Sequence, residues 1–292
     1  RSAAELKAEA VKVASEADCV IFIGGLNKSG GQDCEDTDRK DLSLPYGQDE
    51  LIEALAEANG NLIVVNISGN AVAMPWAGKV AAIVQGWYLG SEAGTSLAAV
   101  LMGDVNPSGK LPFTFSARLE DVPAHSLGQY SAVRSKDVTK IQYNEGIFVG
   151  YRWTDRQKKV QPLFSFGHGL SYTAFEYGKP VADKREMKAG EQITVTVPVK
   201  NTGNREGKEV VQLYIRDKKS TVERPVKELK GFCKVSLKPG EEKEVSFTID
   251  RSALSYFDAG SHQWVAEPGA FEAIVAASAT DIRGRVEFKL TE

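Results

Sequence analysis

Five carboxylates fall between residues 33 and 41: Asp33, Glu35, Asp36, Asp38 and Asp41. They occupy a polar loop that starts at Gly24-Gly25, after the apolar run Cys19-Val20-Ile21-Phe22-Ile23, and ends at Leu44-Pro45. Three chemistries compete for such a loop. A calcium loop needs oxygen ligands at regular spacing, with a Gly at the turn and a distant bidentate Glu, and Asp33 to Asp38 supply neither. A phosphate-cradling loop would use the glycine pairs Gly24-Gly25 and Gly30-Gly31, but no G-x-G-x-x-G or Walker spacing is present and the carboxylates would repel the anion. General acid-base chemistry needs one carboxyl on a loop whose proton is available near neutral pH, as glycoside hydrolysis does when a leaving oxygen is protonated. A solvated acidic surface is the unreactive alternative, and composition alone does not choose between it and a proton donor.

The elements around the loop read as alternating helices and apolar strands. Ser2-Ala3-Ala4-Glu5 has the form of a capping box, and Leu6, Ala10, Val13 and Ala17 follow at helical spacing. Leu51, Ile52, Leu55 and Ala58 mark a second helix, with Gly60 placed to end it in the left-handed conformation. Leu62 to Ile67 and Val80 to Trp87 are further buried strands, and Ser91 could cap a third helix that runs to Gly103. Such a pattern predicts α/β structure with a mostly parallel sheet over residues 1–118, built from three or four strands. Residues 119–170 read as a packed connector whose aromatics, Tyr143, Phe148, Tyr151, Trp153, Phe164 and Phe166, glue the halves together.

From 171 to 292 the period becomes two. Ile193, Val195, Val197 and Val199 alternate with polar residues, as do Val211, Leu213 and Ile215. Turn signals at Asn201-Thr202-Gly203-Asn204, Lys238-Pro239-Gly240 and Glu267-Pro268-Gly269 separate about seven strands, which predicts an all-β sandwich of immunoglobulin or fibronectin type III kind. Tyr256-Phe257 and Trp264 are expected in its core.

Composition narrows the partners. The 36 basic and 39 acidic residues are interspersed and sum to −3, which leaves no basic face for nucleic acid or an anionic membrane surface. Apolar runs stay well below the roughly 18 to 20 residues that span a bilayer. Cys19, Cys34 and Cys233 are too few for a disulfide framework or a C-x-x-C metal site. His125 and His262 have no metal-ligating neighbours, so neither metal nor cofactor is expected. His168, between glycines, reads as a packing residue. Trp76 and Trp87 read as core aromatics rather than sugar platforms, and Glu92 as compensation for a helix dipole.

The acidic loop resembles the catalytic-acid loop of glycoside hydrolase family 3, whose pattern runs G-L-N, E-G-x-D-R, L-x-L-P and Q-x-E-L-I. Gly25-Leu26-Asn27, Glu35-Asp36-Thr37-Asp38-Arg39, Leu42-Ser43-Leu44-Pro45 and Gln48-Asp49-Glu50-Leu51-Ile52 match it in order, with Asp36 standing where the family usually has Gly. Gln85 to Gly94, Gly103 to Phe115, Tyr143 to Arg152 and Pro162 to Thr173 are similar to further family motifs, the last introducing a fibronectin-like domain.

The resemblance implies the C-terminal part of an exo-acting retaining β-glycosidase, most often a β-glucosidase, that removes terminal non-reducing β-D-glucosyl residues. It makes Glu35 the general acid/base and puts the nucleophilic Asp in an N-terminal (β/α)8 barrel outside this chain. Asp38 and Arg39 become loop-orienting or substrate-contacting residues. β-Linked oligosaccharides and aryl glycosides become the substrates, and a periplasmic or secreted location is expected. β-Xylosidase or α-L-arabinofuranosidase specificity, and a non-catalytic carbohydrate-binding module, are the competing functions. The few strands before residue 118 leave an open sheet edge, which would admit a homo-oligomer.

Overall fold

The computed structural model describes residues 1–35, 37–128, 133–134, 139–157 and 160–292. Asp36 and its departure from the family glycine lie outside the described residues. The chain forms two compact units. One comprises residues 1–102, 115–126 and 161–163, and the other residues 103–114, 127–160 and 164–292.

In the first unit, helix α1 (Ala3–Glu16) starts at the expected capping box. The Glu5 amide donates to Ser2 Oγ and the Ser2 amide to Glu5 Oε2. Strand β1 (Val20–Gly25), helix α2 (Gln48–Ala58), strand β2 (Leu62–Ile67) and strand β3 (Ala82–Gln85) follow. The strands pair in parallel in the order β1-β2-β3, with Phe22 opposite Val64 and Val64 opposite Ile83. Leu62, Val64 and Val65 of β2 and Ile52 and Leu55 of α2 are buried. Helix α3 (Ala93–Leu101) completes the α/β part, and α4 (Pro123–Ser126) is a single turn. No helix among the described residues is long and apolar enough to cross a membrane.

Two helix ends differ from the sequence reading. Helix α2 stops at Ala58 without a left-handed Gly60, because Asn59 takes an extended conformation. The Asn59 side chain donates to the carbonyls of Ala14 and Ala17, so it ties down the end of α1. A 3₁₀ turn over Gly90–Glu92 precedes α3, which puts Glu92 rather than Ser91 at the N-cap, with no side-chain capping bond. Strand β3 is also shorter than expected. Gly86 is buried and Trp87 turns into the left-handed region at φ 52°, where a strand cannot continue.

In the second unit, residues 103–114 are followed by the two-residue strands β4 (Val133–Arg134) and β5 (Thr139–Lys140) and helix α5 (Tyr151–Arg156). The sandwich strands are β6 (Phe175–Tyr177), β7 (Val181–Ala182), β8 (Glu186–Met187), β9 (Ile193–Asn201), β10 (Gly207–Asp217), β11 (Glu228–Leu237) and β12 (Glu242–Ile249). After the one-turn helix α6 (Arg251–Leu254) come β13 (Tyr256–Asp258), β14 (Gln263–Val265), β15 (Gly269–Ala276) and β16 (Ile282–Leu290). One sheet runs β11-β10-β15-β16-β8. The other runs β12-β9-β6, with β7 also on β9. The alternation along β9 buries Ile193, Val195, Val197 and Val199 against Val211, Leu213, Val245, Phe247, Phe271 and Val275. The outer face of β10 is covered as well: Tyr214 meets Tyr151, which stacks on Phe166 at 5.1 Å. Tyr151 and Phe166 therefore cover the sandwich itself.

Phe257 and Trp264 are not core residues. They face each other across the separate β13-β14 hairpin, 51% and 68% exposed, while Tyr256 is half-buried beneath Arg224.

Candidate active site

The acidic loop leaves β1 through a close approach that only glycine permits. A Cβ on Gly25, at φ 136°, would lie 2.0 Å from the Ile67 carbonyl oxygen. Gln48, the first residue of α2, locks the same point. Its Oε1 accepts from the Gly25 amide at 2.7 Å, and its Nε2 donates to the carbonyls of Gly25 at 2.9 Å and Pro45 at 3.0 Å. The two ends of the loop are thereby held together. Inside it, Gln32 is buried, accepting from the Asn27 amide and donating to the Tyr46 hydroxyl.

From there the loop is laced along residues 69–73, the segment after β2. Asp33 Oδ2 accepts from the Gly69 amide at 2.6 Å and Oδ1 from Asn70 Nδ2 at 3.1 Å. Arg39 donates to the Ala71 carbonyl at 2.7 Å, and the Leu42 carbonyl accepts from the Ala73 amide at 2.8 Å. Asp49 finishes the line by accepting from the Leu44 amide at 2.9 Å and from the Trp76 indole at 2.8 Å. Burial raises the Asp49 carboxyl above the ordinary range, helped by Glu50 and Glu53 and only partly offset by those two hydrogen bonds.

Glu35 sits on the arc between the Asp33 and Arg39 attachments, and its side chain is exposed. Asp38 is exposed on the same arc and, with Arg39, Thr37, Gln32 and Leu44, lines a hollow of about 570 Å³. The three residues singled out from sequence thus occupy one short arc. Glu35 stands free toward solvent, Asp38 borders the hollow, and Arg39 fastens the arc to its support. Asp41 instead accepts from the Ser43 amide within its own turn.

Three residues that shape the site, Asp33, Tyr88 and Tyr46, were given no role from the sequence. Asp33 takes three hydrogen bonds, the third from the Tyr88 hydroxyl at 2.8 Å. Its partial burial disfavours the charge, but the donors Gly69, Asn70 and Tyr88 and the nearby Arg39 cation outweigh that and hold the carboxyl below its usual range. Burial and the facing carboxylate push the Tyr88 hydroxyl up to about 12. Tyr46, 79% exposed, holds φ 63° beside Gly47 at φ 69°. A left-handed tyrosine could not have been read from its type, and the partners of Asp33 lie 36 to 55 residues away.

Comparison with known families decides what this arrangement belongs to. The family model for the glycosyl hydrolase family 3 C-terminal domain matches residues 2–151, and that for the fibronectin type III-like domain matches residues 209–279. The chain belongs to glycoside hydrolase family 3. It is 56% identical over 97% of its length to the beta-glucosidase BoGH3A of Bacteroides ovatus, covering 38% of that protein. It is 45% identical over 95% of its length to the thermostable beta-glucosidase B of Acetivibrio thermocellus, covering 36% of it. The crystal structure of the Kluyveromyces marxianus beta-glucosidase in complex with glucose superimposes with a TM-score of 0.89 at 38% identity, over 100% of this chain and 34% of that one. DesR, a beta-glucosidase from Streptomyces venezuelae in complex with D-glucose, gives 0.88 at 39% identity, over 98% and 35%. The chain spans about a third of the length of these family 3 relatives.

The family 3 aromatics divide as their environments require. Trp76 is wholly buried, its indole bonded to Asp49, whereas Trp87 is half-buried with its ring edge-on to Phe115 at 6.2 Å. His168 is half-buried and stacked on Phe164 at 5.3 Å, and burial together with the Lys110 cation lowers its pKa.

Proposed function

We propose that the protein is a retaining β-glucosidase in which Glu35 is the general acid/base. The observation that carries this reading is the placement of Glu35: a solvent-facing carboxyl on an arc fastened at both sides, in a chain of the family to which the named β-glucosidases belong. A free carboxyl on a fixed backbone can deliver a proton to a leaving oxygen without first breaking a hydrogen bond.

The chemistry runs in two steps. Protonated Glu35 gives its proton to the glycosidic oxygen as that bond breaks, while a carboxylate from the remainder of the full-length protein bonds to the anomeric carbon. Glu35, now ionised, takes a proton from the water that displaces this carboxylate, which returns the enzyme to its starting state. The two carboxyls must come within about 5 to 5.5 Å for this double displacement. Asp38, on the rim of the hollow, is placed to meet the sugar or its leaving group, and Arg39 to keep the arc in register. The relatives named above are all β-glucosidases, which supports glucose over xylose or arabinose at the non-reducing end.

The test is Glu35→Gln in the full-length protein. Turnover of cellobiose falls by at least about 10²-fold, because its leaving group needs the proton. Formation of the glycosyl-enzyme from a 2,4-dinitrophenyl glucoside survives. Azide, which needs no general base, then restores turnover and yields the β-glucosyl azide. Undiminished cellobiose hydrolysis would remove Glu35 from this role.

A further inference from the structure

We propose that Asp33, clamped by Tyr88, is a positioning residue that sets where the Glu35 carboxyl can deliver its proton; this rests on the reading of Glu35 just given. Asp33 is two residues before Glu35, and its carboxylate bridges two otherwise separate pieces of chain. One is the turn closed by the Asn27 carbonyl and the Asp33 amide at 3.0 Å. The other is the segment Gly69-Asn70.

That second piece is itself tied down by buried hydrogen bonds. Ser68 is fully buried and its hydroxyl donates to the Asn70 carbonyl at 2.8 Å. Asn66 and Gln85 bond to the same hydroxyl and to each other. A side chain on Gly69 would come within 3.1 Å of the Tyr88 ring and 3.4 Å of Asp33 Oδ2. Tyr88, Gly69 and Asp33 therefore fit together with no spare space, and Tyr88 is otherwise half in water. On the far side of Glu35, Thr37 closes the arc on itself, its hydroxyl accepting from the Gly31 amide at 3.0 Å and lying 3.0 Å from Cys34 Sγ, and Arg39 then ties the arc to Ala71.

The Asn27 turn and Thr37 set the shape of the arc. Without the Asp33 carboxylate, however, its remaining ties to segment 69–73, from Arg39 and Leu42, both lie after Glu35, so the arc can pivot and carry Glu35 with it. The Asp33 bonds to Gly69 and Asn70 add a tie before Glu35 and stop the pivot. A proton donor misplaced by about 1 Å costs on the order of 10²-fold in rate. The penalty falls on substrates whose leaving group must be protonated, and activated leaving groups escape it. A residue that only stabilised the fold would slow both alike.

The experiment compares Asp33→Ala, Asp33→Asn and Tyr88→Phe in the full-length protein, with Glu35→Gln as reference, on a series of aryl β-glucosides of graded leaving-group pKa. Asp33→Ala is expected to lower kcat/KM about 10- to 100-fold for the poorest leaving groups and less than about 3-fold for 2,4-dinitrophenol, steepening the dependence on leaving-group pKa as Glu35→Gln does. Asp33→Asn restores most of the loss. Its oxygen can still accept from Gly69 and Tyr88, and its amide can donate to Asn70 once that side chain rotates. Tyr88→Phe removes one of the three bonds, falls between, and gives the answer if Asp33→Ala does not fold. A uniform loss across the series, or none, in both Asp33→Ala and Tyr88→Phe overturns the proposal while Glu35→Gln still steepens it. An unchanged slope in Glu35→Gln overturns the acid/base reading and this proposal with it.

Discussion

At the scale of single residues, a carboxylate that accepts three hydrogen bonds ties loop stability to pH. Asp33 is held below its unfolded value, so its contribution is complete above about pH 3.9 and is lost as pH falls through the lower folded value. The difference in urea midpoint between the parent chain and Asp33→Ala should accordingly be steady from pH 7 to pH 5 and close as the medium is acidified below that window. A difference that persists unchanged at pH 2 would mean that the hydrogen bonds do not depend on the charge. Glu35 is proposed from the sequence only through the resemblance of its loop, with Asp38-Arg39 and Leu42-Ser43-Leu44-Pro45 following in order, to the family pattern. Asp33 could not be reached that way, since the amide, side chain and hydroxyl that give it meaning come from Gly69, Asn70 and Tyr88. Hydrogen bonds across such separations leave no local trace in residue type.

At the scale of elements, the clearest dependence is on the end of β9. Asn201 is fully buried. Its Nδ2 donates to the carbonyls of Arg205 and Leu237, and its Oδ1 accepts from the Thr173 hydroxyl and the Gly203 amide. One amide thus fixes the turn into β10 and pins it to the ends of β11 and β6. Asn201→Ala leaves buried backbone groups without partners and is expected to cost about 3 kcal/mol, read from chemical denaturation at constant m-value. A loss below about 1 kcal/mol would mean that water replaces the side chain. The turn itself was legible in Asn201-Thr202-Gly203-Asn204, as was the two-residue period of β9 and β10, because both are local. The Ser2 capping box was legible for the same reason. What failed were inferences from residue type alone. Gly60 was available to cap α2, but Asn59 is drawn outward by the carbonyls of α1. Phe257 and Trp264 are aromatic at strand spacing, yet they pair across a hairpin that belongs to neither large sheet.

At the scale of the molecule, contacts do not follow the linear boundaries that composition suggests. Residues 103–114 group with the sandwich. Asn106 donates to the Glu206 carbonyl and accepts from the Ser171 hydroxyl and the Tyr172 amide. Lys110 pairs with Glu209 at 3.0 Å, with both side chains largely buried, and donates to the Gly169 carbonyl. The Leu111 amide and carbonyl bond to His168 and Gly167. Removing Lys110 alone would strand Glu209, a buried charge without its partner. A polypeptide of residues 171–292 should therefore melt at least about 5 °C below one of residues 103–292 when the two are followed by circular dichroism. Equal midpoints would show that the 103–114 strap adds nothing. The two fold classes were legible from the change in hydrophobic period alone. The strap was not, because Asn106-Pro107-Ser108-Gly109 announces a turn without saying which sheet the chain turns toward.

The lacing of the acidic loop along residues 69–73 bears on how sequences of this family can be recombined. Loop 26–45 exchanges hydrogen bonds with Gly69, Asn70, Ala71 and Ala73, and Tyr88 closes the set. A crossover anywhere between positions 46 and 68 would unite one parent's arc with another parent's support. A chimera that moves the loop, the segment and the tyrosine together inherits the whole fastening, so the smallest transferable cassette runs from Gly24 to Tyr88.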